Sequence, residues 1–195
     1  MGEDALSDAE LVRRCCDGDV GAFGRLVERH QDYICNSVFH LVSDEHDAED
    51  LAQDVFVSAF DSLESFEGRA KFTTWLYGIM LNTVRSYWRR TGRQTVFSLD
   101  GSQSEEDGPN PELEDETDGP VRKTLRREEV ELVREAIDGL EDDLREILVL
   151  RDIQGLSYKD LAEVLDVPIG TVKSRLYRAR GELKDLLQPH YEAMP

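Results

Sequence analysis

The stretch LREILVLRDIQGLSYKDLAEVLDVPIGTVKSRLYRAR, Leu144 to Arg180, carries the most specific spacing in the chain. It divides into helical phrases. Residues 142–151 set Leu144, Ile147, Leu148 and Leu150 on one apolar side, residues 157–165 form a second helix, and a third runs over 169–187. Asp166-Val167-Pro168 makes the turn between the last two, because proline fits just before or within the first helical turn, where its missing N–H costs nothing. Asp166 stands where such turns favour a left-handed glycine, a conformation that aspartate tolerates better than most residues. Ala162 is small enough to let two helices cross closely, and Leu161, Leu165, Val172 and Leu176 fill the crossing. In the last helix Ile169, Val172, Leu176, Ala179 and Leu183 define the buried side, which turns Thr171, Ser174 and Arg178 outward with Lys173, Arg175 and Tyr177 beside them. A helix-turn-helix follows. Its outer face mixes guanidinium groups that can bond guanine edges in two places with short hydroxyls for phosphates, as a helix in the major groove requires. The blander alternative is an amphipathic core helix with a solvated basic face.

Working outward, the N-terminal part reads as four more helices. Ser7 followed by Glu10 is a capping-box signature for a short helix reaching about residue 17, and Asp19 caps a longer one over 20–41 through Phe23, Leu26, Val27, Ile34, Val38 and Leu41. Residues 45–60 carry Ala48, Leu51, Ala52, Val55, Phe56 and Ala59. Residues 72–90 are the most regular: Phe72, Trp75, Leu76, Ile79, Met80, Thr83, Val84 and Tyr87 predict one broad buried stripe, with Gly78, Asn82, Arg85, Ser86 and Arg89 opposite. Phe72 and Trp75 are packing residues in this pattern, and Trp88 fits either face. Residues 98–120 hold three prolines, three glycines and nine carboxylates with almost no apolar side chain, which is linker chemistry. A helix over 121–139 resumes the pattern. With no period-two alternation, the expected fold is all-α: two small helical domains, 1–97 and 121–195, joined by a flexible acidic linker, 98–120.

The formal net charge of −19 speaks against nucleic acid until its distribution is considered. Residues 1–67 carry 17 acidic and 4 basic groups, whereas residues 68–97 carry 6 basic groups and no acidic one. Residues 168–180 carry 4 basic groups and again no acidic one. An acidic body thus bears two basic windows, suited to two DNA contacts and to a basic protein partner elsewhere. Cys15, Cys16 and Cys35 form an odd set without a CxxC pair, so neither a disulfide framework nor a thiolate zinc site is expected; a redox role for the vicinal pair is the lesser alternative. No apolar run approaches the roughly 20 residues of a membrane span, and the acidic N-terminus is unlike a signal peptide, so a cytoplasmic location without membrane insertion is expected. No glycine-rich nucleotide loop, metal-ligand spacing or nucleophile with a base stands out, so neither a cofactor nor catalysis is expected.

Taken together, DAEDLAQDVF (Asp47 to Phe56), FEGRAKFTTWLYGIMLNTVRSYWRR (Phe66 to Arg90) and the opening stretch resemble the extracytoplasmic-function class of bacterial sigma factors. The resemblance implies a transcription initiation factor that carries core RNA polymerase to −10/−35 promoters. By matching position, Asp50, Gln53 and Asp54 would face the β′ clamp coiled coil, with the β subunit as a further contact. Arg69, Lys71, Asn82, Arg85, Ser86 and Arg89 would hold the −10 element as melted single strand, the loop 67–71 receiving a flipped base. Arg151, Thr171, Lys173, Ser174, Arg175, Tyr177 and Arg178 would read the −35 element as duplex, although Arg151 equally fits a helix C-terminal charge cap. Relatives thread the linker through the polymerase toward the RNA exit path, and most are held inactive by an anti-sigma factor. Without the resemblance, a freestanding helix-turn-helix regulator with sensing or dimerising N-terminal helices remains open, as does a helical interaction protein that has lost promoter function.

Overall fold

A computed structural model of the chain describes residues 6–42, 44–92 and 130–192; residues 98–120 and the expected helical start over 121–129 lie outside them. Among the described residues every long element is a helix. The N-terminal helices are α1 (Asp8–Cys16), α2 (Val20–Val42), α3 (Glu45–Asp61) and α4 (Phe72–Thr91), with a 3-10 turn at Leu63–Ser65. Local chemistry explains their ends. The Ser7 hydroxyl accepts the Glu10 amide at 3.3 Å, and the Asp44 carboxylate accepts the Asp47 amide at 3.0 Å. Glu10 does not complete the capping box; its carboxylate is taken by Arg13 at 2.7 Å and Arg14 at 3.3 Å. α4 stops at Gly92, whose φ of +73° lets its amide return to the Trp88 carbonyl. Asp8 ties α1 to α2 by accepting from Arg29 at 2.5 Å and lying 3.0 Å from His30 Nε2.

The C-terminal helices are α5 (residues 130–138), α6 (Asp142–Leu148), α7 (Tyr158–Leu165) and α8 (Ile169–Glu192). The expected helix over 142–151 keeps its α form only to Leu148 and then widens into a π turn, Val149–Ile153. The wider turn keeps Val149 and Leu150 both fully buried, after which Gly155 reverses the chain at a φ of +72°. Asp166 takes the left-handed conformation, φ 53° and ψ 48°, as its place in the turn predicted. Leu161, Leu165, Val172, Leu176 and Ala179 fill the crossing of α7 and α8. Ile169, expected on the buried side, is 47% exposed, because it starts α8 before the helix reaches α7.

The expected single stripe of α4 is only half of what that helix buries. Thr74, Tyr77, Leu81 and Trp88 are buried as well, at steps of three, four and seven, with Arg85 inside the same row. This second stripe faces the C-terminal helices. Tyr77 Oη lies 3.4 Å from Gln154 Oε1, Arg85 meets Glu146, and the Arg145 guanidinium sits 5.7 Å from the Trp88 ring centre. The two halves therefore share one continuous apolar core. Arg145 fastens the junction: it donates to Ile137 O at 3.1 Å, Leu140 O at 2.8 Å, Asp138 O, and across the junction to Leu41 O at 3.3 Å. These carbonyls belong to the ends of α2 and α5 and the turn after α5, where helical geometry leaves acceptors unpaired.

Candidate nucleic-acid interface

The helix-turn-helix presents its outer face as the residue spacing predicts, with unequal availability. Lys173 and Tyr177 are exposed, Tyr177 by 59%. Thr171 and Ser174 are half-buried, and the Ser174 hydroxyl donates to Thr171 O at 3.1 Å, so it must turn away from its own helix to bond a ligand. Arg178 lies 3.7 Å from both Glu141 and Glu182, beyond hydrogen-bond length, which leaves its fork able to reorient toward DNA. Arg175 is more confined: its side chain is half-buried, with Nε 3.6 Å from Asp143. Arg151 braces the turn before α7, donating to Leu156 O at 2.7 Å with its guanidinium 4.8 Å from the Tyr158 ring centre. Both contacts lie within the chain, so Arg151 must leave them to reach a base.

On α4 the candidate residues divide in the same manner. Asn82 and Arg89 are exposed. Ser86 links them, donating to Asn82 O at 2.8 Å and accepting from Arg89 at 2.7 Å. Arg69 is exposed and pairs with Glu67 in the loop before the helix. Lys71 and Arg85, by contrast, are engaged by the other half of the chain. Lys71 Nζ stands 3.4 Å from Asp160 Oδ2, whose carboxyl is held below its ordinary range chiefly by the Ser157 hydroxyl. Arg85 donates in a bidentate fork to Glu146, Nε to Oε1 at 2.7 Å and Nη2 to Oε2 at 2.5 Å. The Glu146 side chain is only 3% exposed; burial pushes its carboxyl up, against the pull of Arg85, whose own pKa the same hydrogen bonds raise.

The polymerase-facing candidates lie together on the exposed side of α3: Asp50, Gln53 and Asp54 are all open to solvent, and Val57, one turn on, is 60% exposed. Position along the helix explains this, since Leu51, Ala52 and Val55 point into the core from the other side. Tyr87 anchors the start of α3 to α4 by donating to Asp47 Oδ2 at 2.5 Å.

Sequence reasoning passed over Glu146 and Arg145. The signal was present: two adjacent charges inside LREILVL, a run otherwise apolar on every side, must find partners if the helix is enclosed. It also treated Trp88 as indifferent between faces, whereas that side chain is 3% exposed. The three cysteines are free thiols, Cys15 half-buried and Cys16 and Cys35 exposed; burial pushes the Cys15 and Cys35 thiols up, away from thiolate reactivity. Among the described residues no helix is long and apolar enough to cross a membrane.

Comparison with known proteins matches both halves. Residues 26–94 fit the model for Sigma-70 region 2, and residues 131–183 fit that for Sigma-70, region 4. The chain is 37% identical over 185 residues to the ECF RNA polymerase sigma-E factor of Haemophilus influenzae, covering 94% of this chain and 97% of that protein. It is also 37% identical over 182 residues to the RNA polymerase sigma-H factor of Pseudomonas aeruginosa, covering 93% and 94%. Two solved structures share the fold. CnrH, in complex with the cytosolic domain of CnrY, has a TM-score of 0.67 at 28% identity, over 93% of this chain and 97% of that one. The sigma factor RpoE of Bartonella quintana, in complex with the anti-sigma factor NepR, has a TM-score of 0.64 at 26% identity, over 87% and 98%.

Proposed function

The chain belongs to the extracytoplasmic-function class of the sigma-70 family, and from that premise we propose that it binds core RNA polymerase, directs it to promoters with −10 and −35 elements and promotes their melting. Two family regions in the family's order, each carrying a basic window on an otherwise acidic chain, are the observation that supports this most. The domains are 1–97 for polymerase binding and −10 capture, 98–120 as acidic linker, and 121–195 for −35 reading. Asp50, Gln53 and Asp54 meet the β′ clamp coiled coil, where exposed carboxylates on a helix suit arginines of a partner. Asn82, Arg89 and Arg69 are the accessible members of the −10 set, and Lys173, Tyr177 and Arg178 those of the −35 set. The factor works in the cytoplasm and leaves the chemistry to the polymerase. The complex of the Bartonella RpoE with the anti-sigma factor NepR supports control by an anti-sigma factor.

Run-off transcription tests the reading. With core enzyme the purified chain should yield discrete transcripts from promoters mapped by transcript-end sequencing after overexpression, and without core enzyme it should shift the same duplex weakly. Tight, specific duplex binding by the chain alone would instead make it a freestanding regulator. Asp54→Arg should weaken capture of core polymerase while leaving the circular dichroism melt in place; unaffected capture would remove that residue from the polymerase face.

A further inference from the structure

A cavity of about 350 Å³ opens where α2, the start of α4 and the turn at 154–156 meet, so both halves of the chain supply its walls. That volume suits a small molecule. Its lining is apolar through Ile34, Leu76 and Leu156 but also carries three uncharged polar groups. Thr74 is 4% exposed, and its hydroxyl meets no hydrogen-bond partner among the described residues. Gln154 Nε2 is buried and likewise without a partner. Tyr77 Oη reaches Gln154 Oε1 only at 3.4 Å, and burial pushes its pKa up to about 12, so the phenol stays a donor. Folded chains rarely leave such groups unbonded, and here two of them, one from each half, line a single cavity.

The same cavity has cationic lining. Lys71 is 73% exposed and touches Asp160 only at 3.4 Å, while Arg29 keeps its bonds to Asp8 and the Leu6 carbonyl. Asp160, the one carboxylate among the described lining residues, already accepts from the Ser157 hydroxyl at 2.7 Å. No side chain caps α4, so the amides of its first turn, at Phe72, Thr73 and Thr74, are left for an acceptor from outside the helix. Cation and free amides together suit a phosphate. The buried groups suit a planar polar ring: a glutamine amide sets a donor beside an acceptor, the pattern that pairs with the amino group and N7 of adenine. Its carbonyl oxygen has a second lone pair beyond the one Tyr77 approaches.

We propose that this cavity is a binding site for an adenine nucleotide, with Gln154 and Thr74 on the base and Lys71 with the first turn of α4 on the phosphate. A ligand held by both halves stabilises the folded chain by mass action. Titration calorimetry and thermal melting of the full chain with AMP test this. AMP should bind one molecule per chain and raise the melting temperature, and GMP and inorganic phosphate should each bind more weakly by roughly tenfold or more. Gln154→Met keeps the length and loses the amide, so it should bring AMP down to the level of GMP. Thr74→Val removes a hydroxyl that has no partner in the chain; it should leave the melting temperature without ligand in place and weaken AMP several-fold. Lys71→Met should weaken AMP while sparing adenosine. Absence of both heat and a melting shift with millimolar AMP would overturn the site. Phosphate binding as tightly as AMP would reduce it to an anion at the helix start, and GMP binding as tightly as AMP would remove Gln154 from the base. Should Gln154→Met not fold, unchanged AMP binding by Thr74→Val would refute the proposal on its own. None of these measurements involves polymerase or promoter, so failure here leaves the promoter-directing reading in place.

Discussion

Arginine at three positions of this chain does three different things, and the neighbours decide which. Arg178 has carboxylates only at 3.7 Å and keeps a usable fork, so Arg178→Ala should lower −35 discrimination by roughly 1–3 kcal/mol, read as the ratio of transcripts from intact and mutated −35 elements. An unchanged ratio would remove Arg178 from the reading face. Arg85 has its fork filled, and Arg145 is spent on backbone carbonyls from both halves. All three look alike in the sequence, because the number of basic residues in a window says nothing about which carboxylates or carbonyls the fold brings near them. Tyr87 makes the same point for a neutral group: its hydroxyl holds Asp47 at 2.5 Å, a bond to a charged acceptor. Tyr87→Phe should cost about 1.5–3 kcal/mol in urea unfolding, and Asp47→Ala combined with it should cost little more.

At the scale of the element, the helix-turn-helix was legible to the level of a backbone angle. The three residues Asp166-Val167-Pro168 stand where the turn forms, and Asp166 is left-handed because α7 must end in one residue before α8 begins. Its φ of 53° is an L-residue's unfavourable region. Asp166→Gly should therefore raise stability by about 1 kcal/mol and Asp166→Val lower it by about 1–2 kcal/mol, measured as midpoints of chemical denaturation at equal slope. The α4 helix was only half legible. Its first stripe follows from periodicity, while Thr74, Tyr77, Leu81 and Trp88 fill the gaps of that pattern, so a helix buried on two sides looks like a noisy helix buried on one. The π turn at Val149–Ile153 had no sequence signal at all: apolar residues on both sides of LREILVL fit an α-helix equally well, and only the need to seat Val149 and Leu150 together widens it.

For the molecule as a whole, the shared core means that the two halves should unfold together. A single calorimetric transition with matching calorimetric and van't Hoff enthalpies is the expected outcome. The junction also contains a titrating group. His40, near the end of α2, is half-buried near Arg134 of α5, and burial followed by that positive charge lowers its pKa below the usual 6.5. The unfolded chain then binds a proton that the folded chain refuses. Stability is full above pH 6.5 and is lost as pH falls through the lowered value, so melting temperature should drop on mild acidification. His40→Phe should flatten that part of the profile; an identical slope in the variant would assign the effect to other groups.

The second stripe of α4 has one more consequence, for anyone who cuts the chain. A fragment that stops before α5 loses the cover over Tyr77, Leu81 and Trp88 and turns a row of aromatic and aliphatic side chains toward water, next to the already exposed Tyr33. Contiguous apolar surface of that kind promotes self-association. The N-terminal piece alone should therefore be sticky at concentrations where the intact protein stays monodisperse, and polar replacements at Leu81 and Tyr77 should restore its solubility without touching Asn82 and Arg89, the exposed residues proposed to meet DNA.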